Sequence, residues 1–331
     1  MLFRSSFTGS VADPAGNAQT TAGGTDRTVT YDSIAPTLTL EQAAGQADPA
    51  KDASIAFAFT ASEPLDAGTL TAADFTVTNG SAVAVSGSGT TFTLTTTASG
   101  QGDVTIAFAG SVADPAGNTK TTAGGTDRTV TYDSIAPTVT LQQAAGQVDP
   151  AKDASIAFAF TASEPLVSAS VTAADFEVVN ATDLTVTGSG STYTVTATAT
   201  GQGDVTVSFT GSVADPAGNT QTTAGGTDRT VTYDSIAPTL TLQQAAGQAD
   251  PAKNAAIGFT FSASEALDAS TVTAADFTAT NGTVSLVTGV GASYTVTVTA
   301  SGQGDVTVAF AGSVADPAGN AQTTAGGTDR T

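Results

Sequence analysis

The chain has no cysteine, histidine or tryptophan and one methionine in 331 residues. Without cysteine there are no disulfides and no thiolate nucleophile. Without histidine there is no Ser-His-Asp triad, and the two absences together remove the usual zinc ligands. Basic residues are also scarce: nine Lys and Arg stand against thirty Asp and Glu, a formal net charge of −21. Nucleic acid and anionic membrane surfaces need clustered Lys and Arg, so neither is expected as a partner, and cations are the natural partners of such a chain. No run reaches the ~18 apolar residues of a membrane helix, so no membrane insertion is expected. "MLFRSS" is too short to be read as a signal peptide, so an export signal would lie elsewhere.

What is abundant is Thr, Gly, Ala, Val and Asp, a mixture that favours strands and turns. It is also repeated. Asp13, Asp114, Asp215 and Asp316 stand 101 residues apart, each inside the heptapeptide VADPAGN. TTAGGTDRT recurs from Thr20, Thr121, Thr222 and Thr323, and TVTYDSIAPT from Thr28, Thr129 and Thr230. A period of that length is one domain rather than a solenoid unit of ~20–50 residues. The boundaries fall at YDSIAP: residues 1–33 read as the tail of a preceding repeat, 34–134 as repeat 1, 135–235 as repeat 2, and 236–331 as repeat 3, truncated in its last strand. Both ends thus lie inside domains, as in a piece of a longer array. The shortened repeat 3 is expected to melt first.

Within a repeat the hydrophobic period is two. Ile55, Phe57, Phe59 and Ala61 alternate with Ala56, Ala58 and Thr60. Similar alternation in APTLTL, DFTVTNG, SAVAVSG, TFTLTTT, GDVTIAFAGS and RTVTYD makes about seven short strands per repeat, the signature of an all-β antiparallel sandwich. The one helical hint is Thr71–Asp74, a capping box on a single turn.

Asp-Pro-Ala-Gly is first of all a type I turn. Topology offers its aspartate a second task. In a sandwich, the start of the first strand and the ends of the second and sixth meet at one pole. That gathers Asp32, Glu63 and Asp114 in repeat 1, Asp133, Glu164 and Asp215 in repeat 2, and Asp234, Glu265 and Asp316 in repeat 3, with Asn118, Asn219 and Asn320 able to add an amide oxygen. Three carboxylates at one place repel. Calcium, which takes six to eight oxygens, would relieve this, and magnesium fits less well. Because Asp133 closes one repeat and opens the next, a cation there would clamp the linker. Asp48, Asp52 and Asp103 at the opposite pole are secondary candidates.

The order D-S-x-A-P-T, FTASEP, D-P-A-G-N resembles the bacterial immunoglobulin-like domains of giant repetitive surface adhesins and biofilm proteins. It is carried by Asp133–Pro137, Ser163-Glu164-Pro165, Asp215–Asn219 and their equivalents. The resemblance implies tandem immunoglobulin-like sandwiches on the bacterial cell surface, forming an extracellular stalk with calcium at the junctions. Its partners would be neighbouring repeats and, through a tip domain elsewhere, a host or matrix ligand. Each repeat would add on the order of 40 Å. The alternative is a carbohydrate- or protein-binding module, centred on the variable stretch Ser81–Ser99 and its equivalents; Tyr31, Tyr132 and Tyr233 sit in the linker-proximal strand, and Tyr193 and Tyr294 replace the core Phe92. An enzyme is not expected, because the same acids recur in loops with no cleft.

Overall fold

The computed structural model describes residues 2–23, 28–81, 83–327 and 330–331. The TTAGGTDRT copies from Thr20 and Thr323 lie partly outside the described residues, as does Ala82 of the SAVAVSG stretch. The chain divides into two compact units, Met1–Ala136 with Pro216–Asn219, and Pro137–Asp215 with Thr220–Thr331. Buried side chains form three separate cores, spanning residues 38–130, 139–231 and 240–314.

The period-two pattern becomes strands as the alternation demands. In repeat 2, Ser155–Ala162 runs antiparallel to both Val139–Gln143 and Thr192–Ala199, and Ala181–Ser189 forms the outer edge. Phe158 faces Val195 and Phe160 faces Tyr193 across the central pair. The second sheet is Phe176–Val179, Gly203–Phe209 and Thr230–Tyr233, with the middle strand antiparallel to both neighbours. Each core is built by the inward faces of the two sheets. Phe160, fully buried, packs edge-on against Phe176 at 5.1 Å between ring centres and tilted against Phe209 at 5.2 Å. Phe59 and Phe261 make the same contacts in their own repeats. The chain is therefore a tandem array of immunoglobulin-like β-sandwiches, all-β apart from single 3-10 turns.

Those turns include the expected one. Asp74 Oδ2 accepts hydrogen bonds from Thr71 N at 2.7 Å and Thr71 Oγ1 at 2.8 Å, closing the turn Ala72–Asp74.

One feature departs from a purely antiparallel sandwich. Ala224–Gly225 runs parallel to the start of Val139–Gln143, and Ala325–Gly326 does the same in repeat 3. The second glycine of each TTAGGT explains why that motif recurs unchanged. Gly125, Gly226 and Gly327 have φ of +102°, +101° and +121°, and a Cβ there would collide with the carbonyl oxygen of Leu40, Leu141 or Leu242. Only glycine fits both the backbone sign and the close approach.

Repeat 3 differs at its second sheet. Only Phe277–Thr280 and Thr307–Phe310 pair there among the described residues, and the latter strand is four residues where repeat 2 has seven, Gly203–Phe209. In repeat 2 the added length pairs with Thr230–Tyr233.

Candidate functional site

The turn is built locally. In the 1–33 segment, Asp13 Oδ1 accepts from Ala15 N and Asn17 N, both at 2.9 Å, and Asp13 Oδ2 accepts from Asn17 Nδ2 at 2.9 Å. Gly16 N donates to Asp13 O at 2.9 Å, closing the four-residue turn. Among the described residues no sandwich core covers this copy: Val11 is 60% exposed, whereas Val112 is fully buried. Yet the same bonds recur around Asp114, from Ala116 N at 2.8 Å, Asn118 N at 2.9 Å and Asn118 Nδ2 at 2.7 Å. Seven residues thus suffice for the turn. The glycine at its end, φ +89° at Gly117, lets the hairpin close from Val112–Ala113 onto Thr119–Lys120. These donated bonds hold the carboxyls of both Asp13 and Asp114 below the usual aspartate range, the Asn side chain contributing most.

What the sandwich adds is company for that aspartate. Asp114 and Asp316 are buried, and Asp32, Glu63, Asp234 and Glu265 are half-buried. Within repeat 1, Asp32, Glu63 and Asp114 each bring a carboxylate oxygen to within 4.8 Å of the others, and within repeat 3 so do Asp234, Glu265 and Asp316. Each acid has its own positioning device. Asp32 turns back on itself, Oδ1 accepting from Ile34 N at 3.1 Å. Glu63 follows Ser62, whose N donates to Thr37 O at 3.0 Å and whose Oγ accepts from Thr37 N at 3.0 Å, so the second strand's end is tied to the first strand's start. Asp234 and Ser264 repeat both arrangements. Of the second set, Asp133 belongs to the first compact unit and Glu164 and Asp215 to the second. Asp133 caps its own turn through Ile135 N at 3.1 Å, and Ser163 beside Glu164 accepts from Thr138 N at 2.9 Å.

Asparagine takes a different part from the one expected. Asn118 Nδ2 donates to Asp114 Oδ2 at 2.7 Å and to the Asp32 carbonyl at 3.3 Å. Asn320 does the same to Asp316 Oδ2 at 2.9 Å and to the Asp234 carbonyl at 2.8 Å. Asn219 Nδ2 reaches the Asp133 carbonyl at 2.9 Å. Two acceptors facing one amide demand its nitrogen, not its oxygen. Asn118 and Asn320 therefore meet the set as donors that pin the linker backbone to the turn, and Asn219 shares the linker bond.

In the triads of repeats 1 and 3 the carboxylates crowd one another. Burial, and then the negative charges of Asp32 and Asp114, push the Glu63 carboxyl above its ordinary value, and Glu265 is raised by burial and by Asp234 and Asp316. Three convergent oxygens within 4.8 Å suit a cation that binds oxygen at ~2.3–2.6 Å, since opposed ligands are then about twice that distance apart. Carboxylates, backbone carbonyls and water are hard-oxygen donors, the set calcium takes.

Two of the three secondary acids serve the fold. Asp48 Oδ1 accepts from Thr131 N, and Asp103 Oδ1 from Thr131 Oγ1, both at 2.9 Å, so both hold the last strand of their own repeat. Asp149 and Asp204 hold Thr232 alike. The sequence reading missed this role. Its only signal was the shared period of the acids and the threonine. Tyr193 and Tyr294 are buried in the cores at the place of Phe92 and offer no exposed ring to a sugar.

No protein-family profile matches the chain, and no curated protein matches it. Among solved structures it is similar to invasin, a bacterial integrin-binding protein, at 15% identity and a TM-score of 0.34 over 89% of this chain. The chain spans about 60% of that structure's length. It is also similar to a titin I9–I11 tandem, at 10% identity and a TM-score of 0.29 over 88% of this chain and 100% of that one. A third likeness is to the Yersinia pseudotuberculosis adhesin InvE, at 16% identity and a TM-score of 0.23, covering 61% of this chain and 60% of that one.

Proposed function

We propose that this chain is a calcium-stiffened spacer segment of a large bacterial cell-surface adhesin. Its repeats give length to a stalk that supports adhesion or biofilm formation, and a ligand-binding tip lies elsewhere in the protein. The carrying observation is the carboxylate triad at the pole of the repeat, one of whose acids comes from the linker that enters it. A cation on Asp32, Glu63 and Asp114, or on Asp234, Glu265 and Asp316, fastens linker to sandwich and removes a hinge. The linker is otherwise held there by the asparagine bond and the Ser–Thr tie. The acids lie in turns already occupied by structural hydrogen bonds, which supports a mechanical role over a catalytic one. Near-identical repeats with few exposed aromatic rings suit a spacer better than a sugar-binding module.

Titration calorimetry of the whole chain with calcium is expected to show about one ion for the set Asp32, Glu63 and Asp114 and one for the set Asp234, Glu265 and Asp316, with weaker heats for magnesium. Small-angle scattering should then report a longer, less variable particle in calcium than in EDTA. Absence of binding heat would leave the acids as turn formers and the array as a flexible acidic spacer.

A further inference from the structure

The variable stretch of each repeat supplies the outer strand of the first sheet. In repeat 3 that strand is Gly282–Val290, at one end of a sheet whose strand order is the same as in repeat 2. A strand in that place presents unpaired backbone groups along its free side. The register fixes which ones. Ala263 N donates to Ala292 O, so Tyr294, opposite Phe261, turns its amide toward Ala256–Ala263. Thr295 turns the other way, onto Thr288. The N–H and C=O of Val287 and Gly289 therefore point outward, away from Ser293–Ala300. A β-bulge between Val284 and Leu286 interrupts the ladder, leaving Leu286–Val290 in unbroken register.

The repeats treat this edge differently. Leu286 is 53% and Val290 80% exposed, and with Thr288 between them they share one face of the strand. The equivalent positions hold Thr185 and Ser189 in repeat 2, and Ala84 and Ser88 in repeat 1. Repeat 2 also sets Asp183 into the bulge of its strand, at φ +50°. In repeat 1 the strand is only the five residues Ala84–Ser88. A charge, a bulge and a short strand are the usual means of keeping an edge unpaired. Repeat 3 has the bulge and no charge: none of the residues from Phe277 to Gly304 is acidic or basic, in a chain of net charge −21.

We infer that the edge Leu286–Val290 pairs antiparallel with the same edge of a second copy of this chain, about a two-fold axis at Thr288. The segment is self-complementary in that arrangement. Val287 and Gly289 exchange their outward N–H and C=O groups with Gly289 and Val287 of the second copy. Leu286 of each copy faces Val290 of the other, so the two exposed apolar side chains cover one another. Thr288 faces itself. A strand of another sequence could use the backbone groups but not this reciprocal match. A chain with thirty acidic residues also approaches its own kind at least cost where it carries none. The contact is isologous, so it closes at the dimer. It uses none of the carboxylate sets and does not rest on the calcium reading.

The test is sedimentation velocity of the whole chain up to sub-millimolar concentration, in EDTA so that ion bridging plays no part. A concentration-dependent equilibrium between monomer and dimer is expected, with slower hydrogen exchange at Val287 and Gly289 as the dimer forms. Leu286→Thr with Val290→Ser, the residues repeat 2 carries there, should return the chain to monomer. Thr288, which is exposed, gives the sharper arm. Thr288→Lys and Thr288→Glu should each be monomeric alone, because each sets a charge against its own copy, and an equal mixture of the two should dimerise again. A parent chain that stays monomeric, open-ended oligomers, a dimer that survives the substitutions, or a mixture that stays monomeric would overturn the inference.

Discussion

Calcium is expected to raise the melting temperature of the chain by roughly 10–20 °C. Replacing the pole glutamates by glutamine is expected to abolish that rise while stabilising the calcium-free protein. The size follows from linkage: free calcium at a hundred times its dissociation constant stabilises by about 2.7 kcal/mol, and each kcal/mol moves a domain of this size by about 4–8 °C. The reversal follows from the raised Glu63 and Glu265 carboxyls. A folded Glu63 binds its proton more tightly than an unfolded one, whose value is 4.5. Stability therefore falls as pH rises from that value through the folded one, and above it the full repulsion remains. Asp114 has the opposite sign, since its carboxyl is depressed from 3.8 and its contribution is lost only as pH falls below that. The two windows do not overlap, so the glutamates can be read alone. In EDTA at neutral pH the Glu63→Gln, Glu265→Gln chain should melt above the parent. In calcium it should melt below it, and near the foot of the glutamate window the two should converge. A variant that melts lower in both media would mean that the glutamates hold the fold by direct bonds, not a cation.

The second large effect lies in the cores. Phe160→Ala should cost about 3–5 kcal/mol, because a fully buried ring packed on Phe176 and Phe209 leaves a cavity that rigid sheets cannot close. That is a large part of the ~5–15 kcal/mol of a typical domain, and it corresponds to a fall of roughly 15–30 °C for that repeat. Because the cores are separate, hydrogen exchange should lose protection over Ser155–Ala162 and keep it over Ser54–Ala61. Equal loss in both strands would show that the repeats unfold as one cooperative unit.

The local layer of this protein was legible in its residues. Period-two alternation names the inward phenylalanines, because side chains on a strand must alternate. Thr71 and Asp74 announce their turn, and VADPAGN makes its own, as the copy at 11–17 demonstrates without a core around it. All of these depend on neighbours within a few positions, so the chain's order carries them. The gathering of Glu63 with acids at 32 and 114 was anticipated only through topology, since the pole where strand ends meet is a property of the sandwich. Three matters were decided by tertiary structure alone. Asn118 presents nitrogen, because both groups facing it turned out to be acceptors. Asp48 and Asp103 hold Thr131, a partner 83 and 28 residues away, which no spacing rule predicts. The second glycine of TTAGGT is required because the Leu40, Leu141 or Leu242 carbonyl of a distant strand passes where a side chain would stand. Sequence carries the periodicity and the turns because those are short-range sterics and hydrogen bonds. The direction of an amide, or the approach of two backbones, is settled only when residues far apart in the chain share the same space.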